Sequence, residues 1–249
     1  MITAHETDVK ATRKVAFLTL ATIFIMGYVN ALALRTIDIT TMITAQSGNI
    51  VWLGMDFTRA VMGFDGVGYY DDYWLMFFQR ISLFLGFATG AGIALATKEI
   101  FQNKRLQFYY NWTLFAMPIL AYPLILQYNI APIVSIFLLG FSSGATLRFF
   151  RKLFHLEVNT AMATGSAMFV GMHFVEWIKK KDRKELFTLF LFLLAVLMFS
   201  FGSGIYQMLH DIQYPVEFLP DQYNLFSTTN WALLAFCIIP YFFYPKPNR

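Results

Sequence analysis

Two short polar segments with nearly the same residue pattern interrupt an otherwise apolar sequence, and each is followed by Gly-Met-x-Phe. The segments are Ser47-Gly48-Asn49 and Thr164-Gly165-Ser166. If each segment opens a helix, its hydroxyl residue can cap the free backbone N–H groups, and the helix N-terminus attracts an anion or a polar group. The pattern therefore predicts a substrate-binding site for a small polar or anionic solute, to which Gln46 and Asn30 could add contacts. In the alternative, these residues only cap helices and hold the chain together.

Charged residues inside apolar sequence are the second signal. Arg80 lies eight residues after Asp72, and Asp56 lies eight residues after Gly48, so both fall about 12 Å along their helices. Charges within a membrane are rare and usually paired. We therefore predict an Arg80–Asp56 ion pair that acts as a gate or as a structural clamp. The repeat places His173 at the position of Asp56, and a histidine there could couple transport to protons.

Enzymatic chemistry has weaker support in the sequence. Residues 140–144 match Gly-x-Ser-x-Gly, so Ser142 or Ser143 with His173 could form an intramembrane serine hydrolase. The same residues favour close helix packing, which is the preferred interpretation. Cys237 stands alone, so the chain has no cysteine-based metal site or disulfide. No catalytic residue, metal or cofactor is expected.

Composition places the protein in a membrane. The chain is 57% hydrophobic and only 14% charged, and its net charge of +4 comes from loops beside apolar blocks, which does not indicate nucleic acid. Apolar blocks occur at about 15–34, 43–62, 73–97, 112–128, 131–149, 158–178, 185–209 and 229–244. Pro118, Pro123 and Pro132 are expected to interrupt the fourth and fifth blocks.

The repeat and the loop charges together predict the topology. The fold class is an all-α integral membrane protein forming a single domain over 1–249, with repeated halves at 15–128 and 131–244. Eight spanning helices would leave several basic loops outside the cell. If the two repeated segments are instead re-entrant or broken helices, six spans remain, the halves are inverted, and both termini are cytoplasmic. Re-entrant backbone requires a polar cavity, since unpaired amides are not tolerated in lipid.

Several motifs resemble those of the YoaK-like family of bacterial multi-pass membrane proteins, also described as domain of unknown function 1275. The resemblance is carried by Gly27-Tyr28-Val29-Asn30-Ala31, Ser47-Gly48-Asn49, Gly144 and Thr164-Gly165. The sequence departs from the family pattern at Asn30, where that pattern has Asp, at Ser47, where Thr is usual, and at Thr146 and Leu147, where Gln and Asn would stand. The resemblance implies fold and location but no activity.

The function that these features favour is a transporter or channel-like permease in the cell (inner or plasma) membrane, with its site between the repeats. Its partners would be the lipid bilayer and the solute, and a homo-oligomer is left open. The alternatives are the intramembrane serine hydrolase and a membrane scaffold or assembly protein without a transported ligand. The sequence does not specify the substrate or a coupling ion.

Overall fold

A computed structural model describes residues 4–36, 46–63, 72–97, 100–127, 132–146, 152–154, 156–158, 163–213 and 227–242. This part of the chain forms eight helices: α1 (Ala4–Thr36), α2 (Gln46–Val61), α3 (Tyr73–Ala96), α4 (Lys104–Gln127), α5 (Pro132–Thr146), α6 (Ala163–Lys180), α7 (Arg183–Gln213) and α8 (Thr228–Phe242). Two antiparallel strands of two residues each, β1 (Lys152–Leu153) and β2 (Leu156–Glu157), lie between α5 and α6.

Every apolar block of the sequence corresponds to a helix, so the all-α prediction is confirmed for the described residues, apart from the two short strands. Three of these helices contain segments long and apolar enough to cross a membrane, at Thr12–Leu34, Tyr73–Ala96 and Arg183–Ile212. Two shorter apolar helices are Ile133–Thr146 and Thr228–Phe242. These lengths and compositions are those of a membrane protein.

The expectation that prolines interrupt the fourth block is wrong. Pro118 and Pro123 both lie inside α4, which continues from Lys104 to Gln127. A proline removes one backbone hydrogen bond, but the remaining amides in apolar surroundings have no better partners than the helix itself. The helix therefore continues through both prolines, and only Pro132, the first residue of α5, marks a helix boundary.

Helices α1 and α7 form one of two close pairs in the fold. A Cβ atom added to Gly27 would collide with the carbonyl oxygen of Phe199, and one added to Gly202 would collide with that of Phe24. The Ser203 hydroxyl donates to the Gly27 carbonyl at 2.9 Å. Only glycine lets the two backbones approach this closely.

Helices α3 and α5 form the second close pair in the same manner. Gly90 faces the Phe141 carbonyl, and Gly144 faces the Phe87 carbonyl. Gly144 is the repeat counterpart of Gly27, so the same glycine anchors a close helix pair in each half of the sequence.

The contacts also give the relative directions of the helices. Phe24 packs on Phe201, and Tyr28 packs on Tyr206, so α1 and α7 run in the same direction. The Tyr28 hydroxyl donates to the Thr229 carbonyl at 2.6 Å while Phe24 packs on Phe236. A later residue of α1 therefore contacts an earlier residue of α8, so these two helices run in opposite directions.

Helix α4 runs opposite to both α8 and α5. The Trp112 indole N–H donates to the Cys237 carbonyl at 2.7 Å, and Tyr109 stacks on Tyr241. The later residue of α4 again contacts the earlier residue of α8. Ser142 of α5 donates to the Phe115 carbonyl of α4 at 2.9 Å. Four residues separate the end of α4 from the start of α5, as in a helical hairpin.

Helices α3 and α5 run in the same direction. Leu83 contacts Gly140, and one turn further along both helices Phe87 contacts Gly144. Combined with the preceding contacts, this order makes α1, α4 and α7 point one way and α3, α5 and α8 the other. The main hydrophobic core, which contains the fully buried Trp112, joins α1, α3, α4, α5, α7 and α8.

Candidate functional site

Helix α2, which contains the first polar segment, lies along α3 in the opposite direction. Arg59 lies over the Tyr73 ring at 5.4 Å, and Phe57 packs on Phe77. Asp56 is opposite Arg80. Because α2 and α3 are antiparallel, Gln46, ten residues before Asp56, lies at about the same height along the helix axis as Gly90, ten residues after Arg80. That position is about 9 Å before the end of α3 at the usual helical rise. The first turn of α2 therefore lies within the length of the bundle.

The structure brings Asp56 and Arg80 together, as the comparison of their heights predicts. Arg80 Nε donates to Asp56 Oδ2 at 2.5 Å, and the two side chains are 1% and 0% exposed. The Arg80 guanidinium also lies over the Trp52 ring, with Cζ 5.5 Å from the ring centre. The pair thus ties α2 to α3 in a fully buried position, where the two charges neutralise each other.

Helix α6, which contains the second polar segment, lies along α7 in the same way. His173 Nδ1 is 2.7 Å from Glu185 Oε2, and the His173 ring stacks on Phe192 at 5.6 Å. Since His173 is opposite Phe192, Ala163 is approximately level with Gly202. Both repeated helices therefore begin beside the glycines that hold α3 and α7 in their close pairs.

A second ion pair lies on the exposed end of α6. Glu176 Oε2 is 2.7 Å from Lys180 Nζ, one turn along the helix. The hydrogen bond and the charge of Lys180 lower the pKa of Glu176. Glu176 is therefore ionised throughout the neutral pH range.

For most of the predicted binding residues, the side chains lie outside the described part of the structure. Their backbone belongs to the first turns of α2 and α6, and the residues are Gln46, Ser47, Gly48, Asn49, Thr164, Gly165 and Ser166. Their role in binding stays a prediction, as does the capping role of the two hydroxyl residues. Asn30 is described: it is buried in α1, one turn beyond Gly27.

Several buried oxygen atoms have no hydrogen-bond partner among the described residues. They are Asn30 Oδ1, Asp56 Oδ1, Gln79 Oε1, Ser135 Oγ and Ser143 Oγ. A buried acceptor without a partner costs about 1–3 kcal/mol, so such atoms are normally met by water or a ligand.

Gln79 and Ser135 are candidate site residues that the sequence analysis did not select. Both side chains are buried, on α3 and α5. The sequence signal for Gln79 was its place beside Arg80 within an apolar block, and Ser135 is a single hydroxyl residue in such a block. Neither signal distinguishes a residue facing the interior from one facing lipid.

The residues of the hydrolase alternative occupy different environments. Ser142 donates to the Phe115 carbonyl, and His173 is held by Glu185 and Phe192 on α7. The described residues contain no group of three or more His, Cys, Asp or Glu side chains that could hold a metal ion. An apolar groove between α4 and α5, beside Met117 and Phe141, contains none of the predicted site residues.

Comparison with known proteins identifies the family. The family described as "Protein of unknown function (DUF1275)" matches residues 18–239, and the chain therefore belongs to it. No curated protein and no solved structure gave a match. The resemblance noted from the glycine and Ser-Gly-Asn motifs is thus confirmed at the level of the family.

Proposed function

We propose that this member of the DUF1275 family is a transporter or channel-like permease for a small polar or anionic solute. Its site would lie between two re-entrant helices, α2 and α6, at the junction of two inverted halves. The observation that carries this proposal is that α2 and α6 each begin partway along a longer helix and run back along it, α2 along α3 and α6 along α7. Paired broken helices of this kind form the central site of many transporters.

The helix directions support the inversion. Helices α1 and α3 point in opposite directions, so the chain between them returns to the face at which α1 ended. The same holds for α5, α7 and the intervening α6. If α2 and α6 crossed the membrane completely, α1, α3, α5 and α7 would all be parallel. Six spans therefore fit the contacts, with α1, α3 and α4 in one half and α5, α7 and α8 in the other.

The two close helix pairs support a repeat with two-fold character. Gly27 and Gly144 are counterparts in the sequence repeat, and each approaches the third helix of the opposite half. In return, Gly202 approaches α1 and Gly90 approaches α5. At each interface between the halves, a glycine of the first helix of one half meets the third helix of the other half, and a glycine of that third helix meets the first helix.

The chemistry of the buried atoms supports a polar solute. Two helix N-termini offer free amide N–H groups to an anionic or acceptor group. Asn30, Gln79 and Ser135 each have a buried oxygen without a hydrogen-bond partner among the described residues, which would accept a hydrogen bond from a donor group that reaches it. We infer a solute that carries both donors and acceptors. From the loop charges we further propose that both termini lie on the cytoplasmic side of the cell membrane.

The topology can be tested with single cysteines at Gly66 and Lys181 in a Cys237→Ala background. The six-span arrangement requires a membrane-impermeant maleimide to label these two positions from opposite sides of sealed vesicles. Labelling of both from the same side would refute the inverted arrangement. Cysteine at Asn103 serves as the control, since it must share the side of Lys181.

Transport can be tested by a thermal-shift screen of small polar metabolites, followed by uptake into proteoliposomes. Gly48→Leu should abolish uptake of a stabilising solute, because it fills the start of α2. The matched control is Gly54→Leu on the same helix, where nothing lies within 4 Å of an added Cβ. Equal uptake by both variants would refute a site at α2, and the absence of any transported solute would favour the scaffold alternative.

A further inference from the structure

Each re-entrant helix is attached to its neighbour at the same position of the repeat, but by different chemistry. Asp56 of α2 binds Arg80 of α3, whereas its counterpart His173 of α6 binds Glu185 of α7. Gly90 of α3 and Gly202 of α7 occupy equivalent places in the two close helix pairs, and ten residues before them lie Arg80 and Phe192. The His173 ring lies nearly parallel to that of Phe192, at 10°. The two attachments therefore occupy equivalent positions on their helices, but one is a carboxylate–guanidinium pair and the other an imidazole–carboxylate pair.

The two attachments also differ in their access to protons. Asp56 and Arg80 are 0% and 1% exposed, and a guanidinium keeps its proton at all physiological pH values. His173 and Glu185 are 27% and 25% exposed, so this pair is not enclosed by protein as the first pair is. An imidazole changes its charge between about pH 5 and 8. Of these two attachments, the one at α6 is therefore the one that a neutral-range pH change can alter.

We propose that the His173–Glu185 pair is a proton-binding site that fixes α6 on α7. This inference rests on the proposed function, in which α6 lines the solute path. Nδ1–H donates to Glu185 Oε2, so the added proton binds Nε2 and comes from water on the side of the Lys179–Lys184 cluster. The product is an imidazolium–carboxylate pair, whose hydrogen bond is stronger than that of the neutral ring.

The surrounding charges give the sign of the pH dependence. On α6, Glu176 interacts with His173 but is bonded to Lys180, and on α7 the facing charged group is Glu185. Phe192 is the facing apolar neighbour. The attachment is strongest while His173 is protonated and Glu185 is ionised.

Weak packing elsewhere makes α6 sensitive to this bond. Much of the described helix is exposed, including Met168, Met172, Phe174, Val175 and Ile178. Its principal packing partner is α7. Because α6 depends on this single interface, a charge-assisted bond within it shifts the fraction of molecules in which α6 opens locally. Release of α6 would open the site toward the side of the Lys179–Lys184 cluster.

The test measures hydrogen exchange in α6 of the full-length protein in lipid nanodiscs, without solute, at about pH 5.5 and pH 8. After correction for intrinsic exchange, protection of α6 should fall about tenfold between these values, the difference between a charge-assisted and a neutral bond. His173→Gln should remove this dependence. The matched control is His210→Gln on α7, since His210 also lies beside a carboxylate, that of Asp211.

The outcomes separate this proposal from the proposed function. Wild-type protection that does not change with pH, or a dependence that persists in His173→Gln, would overturn the proton site. If His173→Gln does not fold, Glu185→Gln tests the same bond and should show protection that is low at both pH values. A His173-dependent change in a protein that transports no solute would retain the proton site and reject the transporter.

Discussion

The buried Asp56–Arg80 pair allows a quantitative test of what holds α2 in place. Asp56→Asn keeps the size of the side chain and removes its charge, which leaves the Arg80 guanidinium buried without its carboxylate. Breaking a buried pair by removing one partner costs about 3–5 kcal/mol. The Trp52 ring still faces the guanidinium and contributes about 2 kcal/mol when desolvated. We therefore expect a loss near the lower limit, about 3 kcal/mol.

That loss corresponds to roughly a hundredfold change in the unfolding equilibrium constant. It can be measured by reversible unfolding in mixed micelles, followed by tryptophan fluorescence as the fraction of denaturing detergent rises. Arg80→Met combined with Asp56→Leu should restore stability to within about 1 kcal/mol of wild type, because an apolar pair avoids the desolvation of two charges.

The matched control is Glu176→Gln, which removes the carboxylate of an exposed ion pair with Lys180. Solvent screens such pairs, so unfolding of this variant should match wild type. If Asp56→Asn is as stable as Glu176→Gln, the buried pair does not hold α2 on α3. A double variant that is less stable than Asp56→Asn would equally contradict the argument.

Three further predictions concern the helix contacts. Gly90→Ala should destabilise the protein by about 1–3 kcal/mol, because the added methyl group overpacks the contact with α5. Gly92→Ala, whose added methyl group meets open space, should leave the stability unchanged or slightly higher. Unfolding curves of the two variants measure the difference. Trp112→Phe should cost about 1–3 kcal/mol in the same assay, because it removes a buried indole hydrogen bond to the Cys237 carbonyl and part of a fully buried ring; equal stability would contradict this. Cys237 is fully buried and should react with a membrane-permeant maleimide only on unfolding, whereas a cysteine at the exposed neighbour Ile238 should react in the folded protein.

The helices and one ion pair could be predicted because both depend on position along the chain. Apolar length sets where a helix forms, and the rise per residue sets the height of Asp56 and Arg80. Which helices lie side by side depends on contacts between distant residues. For this reason the sequence indicated that residues 140–144 permit close packing but did not show that the partner of Gly144 is Phe87 of α3.

The residues of the site that the sequence analysis missed depend on which way a side chain points around its helix and which helix it meets. The sequence singled out His173 but could not identify Glu185, which lies twelve residues later on the next helix, as its partner. Gln79 and Ser135 became candidates only when their oxygens were found buried without partners. Burial and partnership are properties of the packed bundle, and a single sequence does not contain them.

The pairing of α1 with α7 and of α3 with α5 has a consequence for synthesis. Each close interface joins a helix of the first half to a helix of the second. When α1 leaves the ribosome, the chain that will cover Gly27 does not yet exist, and α3 waits in the same way for α5. The first half on its own would expose both glycine faces. If the halves are inverted as proposed above, a shorter ancestor consisting of one half would have needed a second copy of itself, inserted in the opposite orientation, to complete its fold.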